Sequence, residues 1–228
     1  MDKTKILEEE YKKLVYAVSH DLQSPLRVLD GHLHMLDAKI KDNEQLSIHT
    51  EAMSDSLLQM KAYLKGLIDY SRTIHSNINP QFFSIADILA VAKYELNDKI
   101  QKSGAEINIS TSDTFFGDRD LIKKLVIQLL DNAIKFQPPG QQPVIHVEAS
   151  SGDGQSILTI RDNGIGFSPE WKDRVFELFQ KLNKATDYPG NGLGLAICQK
   201  VVEMHGGTIE VEAQEGAGCL VRVVIPVS

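Results

Sequence analysis

The feature that most constrains the fold is the near absence of helix breakers from the first 75 residues, which carry apolar side chains at helical spacing. This stretch holds two glycines, Gly31 and Gly66, and one proline, Pro25. Its apolar positions recur in steps of three and four, as one face of a long helix requires. The first stripe consists of Leu7, Tyr11, Leu14, Val18, Leu22, Pro25, Leu29, Leu33, Leu36 and Ile40. The second stripe, which follows a turn predicted at 41–43, consists of Leu46, Met53, Leu57, Met60, Leu64, Leu67 and Ile74.

A single helical hairpin leaves one side of each helix without a partner. Two helices of about 35 residues each would be about 50 Å long, and both stripes persist over many turns. Pairing two hairpins into a four-helix bundle would cover the stripes, and we therefore expect a homodimer. The alternative is a monomeric hairpin that packs against the C-terminal part of the same chain.

A polar segment at 76–82 predicts a hinge between two domains, 1–75 and 83–228. Beyond it, the pattern predicts helices packed on one face of a mixed sheet, so the fold class is α+β. The predicted helices cover 84–103, 118–136 and 193–205. The predicted strands cover 106–110, 144–149, 156–161, 208–213 and 219–226.

Composition excludes several functions. The net charge of −7 and the lack of a basic cluster argue against nucleic-acid binding. No apolar run approaches the ~20 residues that a membrane helix needs, so we expect no direct membrane contact. We expect a cytoplasmic chain, or the cytoplasmic end of a longer protein whose membrane portion or upstream sensor domain is absent here. Cys198 and Cys219 are expected to be reduced.

A histidine motif at 19–26 stands inside the first helical stripe. His20 is two residues, or about 200° of helix, beyond an apolar stripe position, so it should face outward. Pro25 has no N–H and loosens the helix at Asp21. Asp21 could accept the Nδ1 proton of His20 and leave Nε2 as a nucleophile, and Ser24 could orient a water molecule one turn further on. The remaining histidines, expected on a solvated surface, are His32, His34, His49, His75, His146 and His205.

A predicted helix carries a polar face suited to a nucleotide. Gln128, Asn132 and Lys135 share this face at spacings of four and three. An amide oxygen can ligate Mg²⁺, and a lysine can contact phosphate. The opposite face is strongly apolar, so the amide face should look into a cleft or into solvent.

Two glycine motifs follow. In 162–167, Asp162 ends a predicted strand, where a carboxylate can accept a hydrogen bond from an amino group such as that of adenine. In 190–197, glycines precede a helix, whose exposed backbone N–H groups can bind phosphate. Each motif alone is weak, but the order and spacing of all three polar motifs are highly specific.

These motifs resemble known families. The three polar motifs resemble the N box and the two glycine boxes of the Bergerat-fold ATPases, which include histidine kinases, gyrase, MutL and the heat-shock chaperone ATPases. The motif around His20 resembles the phosphoacceptor box of sensor histidine kinases, in the form found with phytochrome-like sensors. The segment 175–182 resembles the phenylalanine box of these kinases, although ordinary core packing is an alternative for both of its phenylalanines.

The resemblance to sensor histidine kinases covers about 11–226. It implies a dimerisation and phosphoacceptor domain, followed by a catalytic ATP-binding domain with an α/β-sandwich Bergerat fold. His20 would be phosphorylated, with Asp21 as its acid/base partner. Ser24 stands at the position associated with phosphatase activity. The phosphoryl group would pass to an aspartate on the receiver domain of a response regulator.

The resemblance also implies the ligands, ATP and Mg²⁺, and the residues that bind them. Asn132 would ligate Mg²⁺ together with Gln128, Lys135 would contact phosphate and Asp162 would read adenine. The segment 181–190 would form a lid over ATP. The implied nucleotide-binding residues are Asn132, Lys135, Asp162, Gly164, Gly166, Lys181, Gly190, Gly192, Leu193 and Gly194.

Two departures from the family pattern affect the site. Gln128 replaces the usual first asparagine of the N box, which keeps the amide but adds a methylene group. Lys181 stands where relatives often have arginine, so bidentate phosphate recognition is lost.

Two other functions compete with the kinase. A dimeric scaffold could bind nucleotide without transferring a phosphoryl group, but it would need a lost nucleophile or metal ligand. A gyrase- or chaperone-type ATPase would lack the His20 motif and needs a carboxylate base near the N box. Asp131 is about 100° round the helix from Asn132 and is a poor candidate for that base.

Overall fold

The structure is a computed structural model that describes residues 22–23, 26–38, 40, 44–111, 114–182, 188 and 190–227. It divides into two compact units at the step from His75 to Ser76. Within the described residues, no helix is both long enough and apolar enough to cross a membrane.

The first unit is a helical hairpin of α1 (26–38) and α2 (Glu44–Ile74). Its core is formed by Leu26, Leu33 and Leu57, with Leu64 packed beside them. Lys61 pairs with Asp30 at 2.6 Å, and the Thr50 hydroxyl donates to Asp37 at 3.1 Å. The later residue of α1 therefore meets the earlier residue of α2, so the helices run antiparallel, as the sequence predicts.

Much of the predicted apolar stripe stays exposed in the single chain. Leu33 and Leu57 are buried as expected, but the core also uses Leu26, which the predicted stripe leaves out. Leu29, in the stripe, is 51% exposed. The stripe residues that remain exposed are Leu22, Leu29, Leu36, Leu46, Met53 and Met60.

The second unit is a layer of helices on a mixed sheet, as predicted. Its helices are α3 (Ile85–Glu95), α4 (Asn97–Ser103), α5 (Arg119–Lys135) and α6 (Gly194–Met204). Its strands are β1 (Gln81–Ser84), β2 (Glu106–Thr111), β3 (Thr114–Gly117), β4 (Val144–Gly152), β5 (Gln155–Asp162), β6 (Thr208–Gln214) and β7 (Gly218–Pro226). Short 3₁₀ turns cover Pro169–Trp171 and Arg174–Phe176.

The main sheet has the order β2-β4-β5-β7-β6, in which only the β2–β4 pair is parallel. Burial alternates along its strands: Ile145, Val147 and Ala149 of β4 are buried, and the residues between them are exposed. One face of the sheet therefore carries the helices. Helix α5 lies in the middle of that layer, where Leu125, Val126 and Leu130 are completely buried.

Local sequence explains where the helices begin and end. The Ser84 hydroxyl caps α3 by accepting from the Asp87 amide, and Asp118 caps α5 by accepting from two amides of the first turn. Gly104 ends α4 in the left-handed conformation at φ +68°. The single helix predicted for 84–103 is wrong in one respect, because the chain breaks at Leu96 into α3 and α4.

The sequence did not predict the small sheet of β1 and β3. Strand β1 begins at Gln81, inside the segment predicted as linker, and pairs antiparallel with β3. Aromatic rings pack across the two strands. The ring centroids of Phe82 and Phe116 are 5.2 Å apart, and those of Phe83 and Phe115 are 6.0 Å apart. Both strands contain two adjacent phenylalanines instead of alternating polar and apolar residues, so neither shows the pattern that identifies a half-buried strand.

Two side-chain predictions gave different results. Both cysteines are free, as predicted. His205 was expected on the surface, but it is buried, and that prediction is wrong. Its Nδ1 donates to the Val201 carbonyl and its Nε2 accepts from the Asp118 amide at 2.8 Å, so the imidazole joins the end of α6 to the start of α5.

Candidate active site

The polar face of α5 lies where the sequence places it. Gln128, Asn132 and Lys135 are all half-buried, and the opposite face of the helix is packed in the core. Neither amide side chain makes a hydrogen bond within the described part of the chain. Two amides and an ammonium group are therefore available to a ligand along one ridge of the helix.

The start of α6 packs directly on this ridge. A Cβ atom on Gly194 would lie 2.8 Å from the Gln128 Oε1 and 4.0 Å from the Asn132 Nδ2, so the backbone of Gly194 lies against these two amide side chains. Leu193 is fully buried, and its amide donates to the Asn191 Oδ1 at 3.1 Å. Helix α6 has no side-chain cap, which leaves the N–H groups of its first turn to an anion.

Lys135 has an unusual electrostatic setting. Its Nζ lies 4.0 Å from the centroid of the Phe136 ring and 3.1 Å from the position of a Cβ on Gly190. Burial lowers the pKa of Lys135; Asp131 opposes this change, and Lys99 and Lys181 add to it. A bound phosphate would relieve this repulsion between cations.

Asp162 ends β5 with one carboxylate oxygen already engaged. Its Oδ1 accepts hydrogen bonds from the amides of Gly164 at 2.8 Å and Cys219 at 3.2 Å. The other oxygen makes no hydrogen bond within the described residues, so it can accept one from a ligand. Burial raises the pKa of Asp162 to about 6, although the two backbone hydrogen bonds act in the opposite direction.

The glycines after Asp162 are required by close packing. A Cβ on Gly164 would lie 2.3 Å from the Phe136 carbonyl oxygen, to which the Ile165 amide donates at 2.9 Å. A Cβ on Gly166, which has φ +56°, would lie 1.9 Å from the carbonyl oxygen of Gln214. These contacts hold the Asp162 loop against the end of α5 and against β6.

The phenylalanine-box segment joins the second glycine motif. Gly192 has φ +69°, and a Cβ there would collide with the backbone of Phe179 and Gln180. Phe176 is buried, which fits core packing, whereas Phe179 is 48% exposed and has φ +63°. Only Phe179 therefore departs from an ordinary core role.

The structure adds contacts that the sequence did not predict. The Tyr188 hydroxyl donates to the Gln137 carbonyl at 2.9 Å, and its ring lies 5.4 Å from that of Phe136. Lys99 pairs with Asp131. The aromatic side chain in an otherwise polar segment was a signal for Tyr188, but no local pattern marks Lys99 or the Cys219 amide that holds Asp162.

The structure does not describe the predicted phosphoacceptor residues. His20, Asp21 and Ser24 lie outside the described residues, as does most of the predicted lid at 181–190. Lys181 is described and half-buried. The structure thus brings together the α5 ridge, the Asp162 loop and the start of α6.

Comparison with known proteins gives the same two-part organisation. Residues 11–75 match the family model of the His Kinase A (phospho-acceptor) domain. Residues 117–228 match that of the histidine kinase-, DNA gyrase B-, and HSP90-like ATPase. The first match contains the His20 motif, and the second contains all three motifs of the α5–α6 site.

The chain is similar over most of its own length to parts of longer proteins. It is 34% identical over 224 residues to cyanobacterial phytochrome A of Nostoc sp., covering 96% of this chain and 29% of that protein. It is 31% identical over 220 residues to the methanogenesis regulatory histidine kinase FilI of Methanothrix harundinacea, covering 95% and 25%. The chain thus spans little more than a quarter of these relatives.

Among solved structures, histidine kinase ThkA in complex with response regulator protein TrrA matches with a TM-score of 0.68. The match covers 100% of this chain and 67% of that one at 20% identity, which shows a shared fold. The chain belongs to the sensor histidine kinase family. Within that family, it comprises the phosphoacceptor helices and the ATPase domain.

Proposed function

We propose that this chain is an ATP-dependent protein histidine kinase that autophosphorylates His20 and passes the phosphoryl group to an aspartate of a response regulator. The observation that carries the proposal is that two distant glycine motifs both pack against α5, one on its polar ridge and the other at its end. Gly194 contacts the amides of Gln128 and Asn132, Gly190 lies against Lys135, and the Asp162 loop packs on Phe136. This site, together with the His20 motif, is what two-component signal transduction requires.

The side chains of the site suit ATP from end to end. The free oxygen of Asp162 would accept a hydrogen bond from the adenine amino group, and fully buried Leu193 would anchor the start of α6 in the core. Lys135, Lys181 and the N–H groups at the start of α6 would bind the phosphates. The glycines named for the site would allow the backbone to approach the nucleotide closely.

Asn132 and Gln128 would hold Mg²⁺. Their amide oxygens are of the ligand type that Mg²⁺ prefers, and both side chains lie beside the start of α6. Phosphate oxygens of ATP would supply further ligands. The bound Mg²⁺ would neutralise charge on the triphosphate.

The transfer itself needs a neutral imidazole. The lone pair of His20 Nε2 attacks the γ-phosphorus in line, and the bond from that phosphorus to the β,γ-bridging oxygen breaks to release ADP. Asp21 accepts the hydrogen bond from Nδ1–H and stabilises the positive ring that forms. Lys135 balances charge on the transferred group.

The proposed kinase would need a response regulator, a second copy of this chain and a sensor domain. The relative in the solved complex, ThkA, is bound to a response regulator, which supports a receiver domain as the partner here. We propose a cytoplasmic homodimer with a phosphoacceptor domain at 1–75, a hinge at 76–82 and a catalytic domain at 83–228. An upstream sensor domain would control it, and Ser24 would support dephosphorylation of the regulator.

Phosphotransfer tests this function. The chain is first incubated with γ-labelled ATP and Mg²⁺, then mixed with a receiver domain or with a matched receiver whose acceptor aspartate is changed to asparagine. Acid-labile, base-stable label should appear on the chain and move to the intact receiver alone. Release of labelled phosphate with no labelled chain would instead indicate a chaperone-type ATPase, and bound but unreacted ATP would indicate the scaffold.

A further inference from the structure

Lys99 lies outside every nucleotide motif, yet its charged end reaches the N-box helix. It belongs to α4, and its Nζ pairs with the Asp131 carboxylate on α5. The Lys99 side chain is 55% exposed and that of Asp131 is 25% exposed, so the pair lies at the rim of the helix layer. Such pairs contribute little to folding on their own.

The position of Asp131 makes this rim part of the candidate site. Asp131 lies about 100° round α5 from Asn132, but Lys135, four residues further on, is on the same side of the helix as Asp131. Lys99 is therefore held beside the surface that the phosphates of ATP would occupy. The charges of Lys99 and Asp131 both act on Lys135, so these two ammonium groups and this carboxylate lie at the same end of the site.

An excess of positive charge is unfavourable unless an anion occupies the site. A triphosphate supplies several negative charges, whereas the Asp131 carboxylate supplies only one for Lys99 and Lys135 together. The Asp131 carboxylate would hold the Lys99 ammonium group in place before ATP binds. It would also compete with the phosphates for that group.

We infer that Lys99 is a further triphosphate-binding residue of this kinase and that Asp131 restrains it in the absence of nucleotide. The inference rests on the proposed ATP binding. When ATP binds, the Lys99 ammonium group moves from the Asp131 carboxylate to an oxygen of the terminal phosphate. Lys99 thereby adds recognition of the third phosphate from an element that the family motifs do not include.

The test compares opposite halves of the ion pair. The affinities for ATP with Mg²⁺ and for adenosine are measured by calorimetric titration of the whole chain and of Lys99→Gln, Asp131→Asn and the double variant. Lys102→Gln, an exposed lysine on the same helix, is the matched control. Thermal unfolding of each variant confirms that it is folded.

The inference predicts opposite changes in ATP affinity. Lys99→Gln should weaken ATP binding about three- to tenfold, and Asp131→Asn should strengthen it about two- to fivefold. Adenosine affinity should not change in any variant, Lys102→Gln should bind ATP normally, and the double variant should lose the gain from Asp131→Asn.

A pair that only joins two helices would behave differently. Both single variants would then lower the stability to the same extent and would leave the ATP affinity unchanged or lowered in both, which overturns the inference. Wild-type chain that binds no ATP would overturn the proposed function as well. Normal wild-type binding with an unaffected Lys99→Gln variant overturns the inference alone.

Discussion

At the scale of single residues, Asp162 combines two opposing properties. It is half-buried, and desolvation raises its pKa to about 6, yet the charged form is the stronger acceptor for an adenine amino group. The folded state binds the proton more tightly than the unfolded state does, so stability falls as the pH rises from about 4 to about 6 and remains lower above that range. The binding role of this carboxylate therefore lowers the stability of the protein.

Replacing Asp162 by asparagine should separate these effects. Asp162→Asn keeps an oxygen that can accept from the Gly164 and Cys219 amides but removes the charge. We expect the free energy of unfolding to rise by about 2 kcal/mol at pH 8 and by less at pH 4.5, while ATP binding falls at least about tenfold. Urea unfolding at both pH values measures this, with exposed Asp98→Asn as the control. Equal or lower stability at pH 8 would contradict the account.

Gly164 shows a steric requirement that the motif alone does not explain. In Gly164→Ala the new methyl group would lie 2.3 Å from the backbone oxygen of Phe136, which cannot move without disrupting the end of α5. We expect a loss of about 2 kcal/mol or more, together with loss of ATP binding. Gly152→Ala is the matched control, because nothing lies within 4 Å of a Cβ there. Thermal unfolding of both variants tests the difference, and equal melting temperatures would rule it out.

The sequence predicted part of this residue-level detail. Asp162, Asn132 and the glycines follow from motif order, and the structure packs the Asp162 loop and the start of α6 against α5. The pair of Lys99 and Asp131 joins residues 32 apart in sequence, so no local pattern predicts it. Their roles in binding remain predictions.

At the scale of elements, the two hairpin helices carry more apolar surface than one hairpin buries. Along α2, Met53 and Met60 lie on one flank of buried Leu57, whereas Leu58 lies on the other. The two methionines are 49% and 43% exposed, although they belong to the predicted stripe. A second hairpin would cover them.

We expect Met53→Glu combined with Met60→Glu to convert the protein from a dimer to a monomer, because two buried charges per helix would oppose association. Leu58→Glu, on the other flank, should leave the dimer intact. Light scattering after size-exclusion chromatography gives the mass of each. A wild-type monomer, or dimers of all variants, would contradict this assignment.

Elements with strong periodicity or clear caps were predicted well. Helices α5 and α6 and the five strands of the main sheet match the sequence interpretation within three residues at each end. The break at Leu96 and the pair β1–β3 were not predicted. Both depend on tertiary packing, since nothing in the local sequence stops a helix at Leu96, and β1 is stabilised by a strand more than 25 residues away.

At the scale of the whole molecule, the chain has two compact units, one on each side of the step from His75 to Ser76. One contains the sequence motif of a phosphoacceptor, and the other contains a site suited to ATP. Phosphoryl transfer requires the ATP site to reach His20 and then to leave it, so the segment between the units should act as a hinge.

The measurement that tests the central claim most directly is autophosphorylation with γ-labelled ATP and Mg²⁺, comparing wild type, His20→Gln and His34→Gln. His34 is an exposed histidine on the same hairpin and serves as the matched control. The account predicts acid-labile, base-stable label on the wild type and on His34→Gln, and none on His20→Gln. Label that persists on His20→Gln would contradict it, as would a wild type that binds ATP and takes up no label.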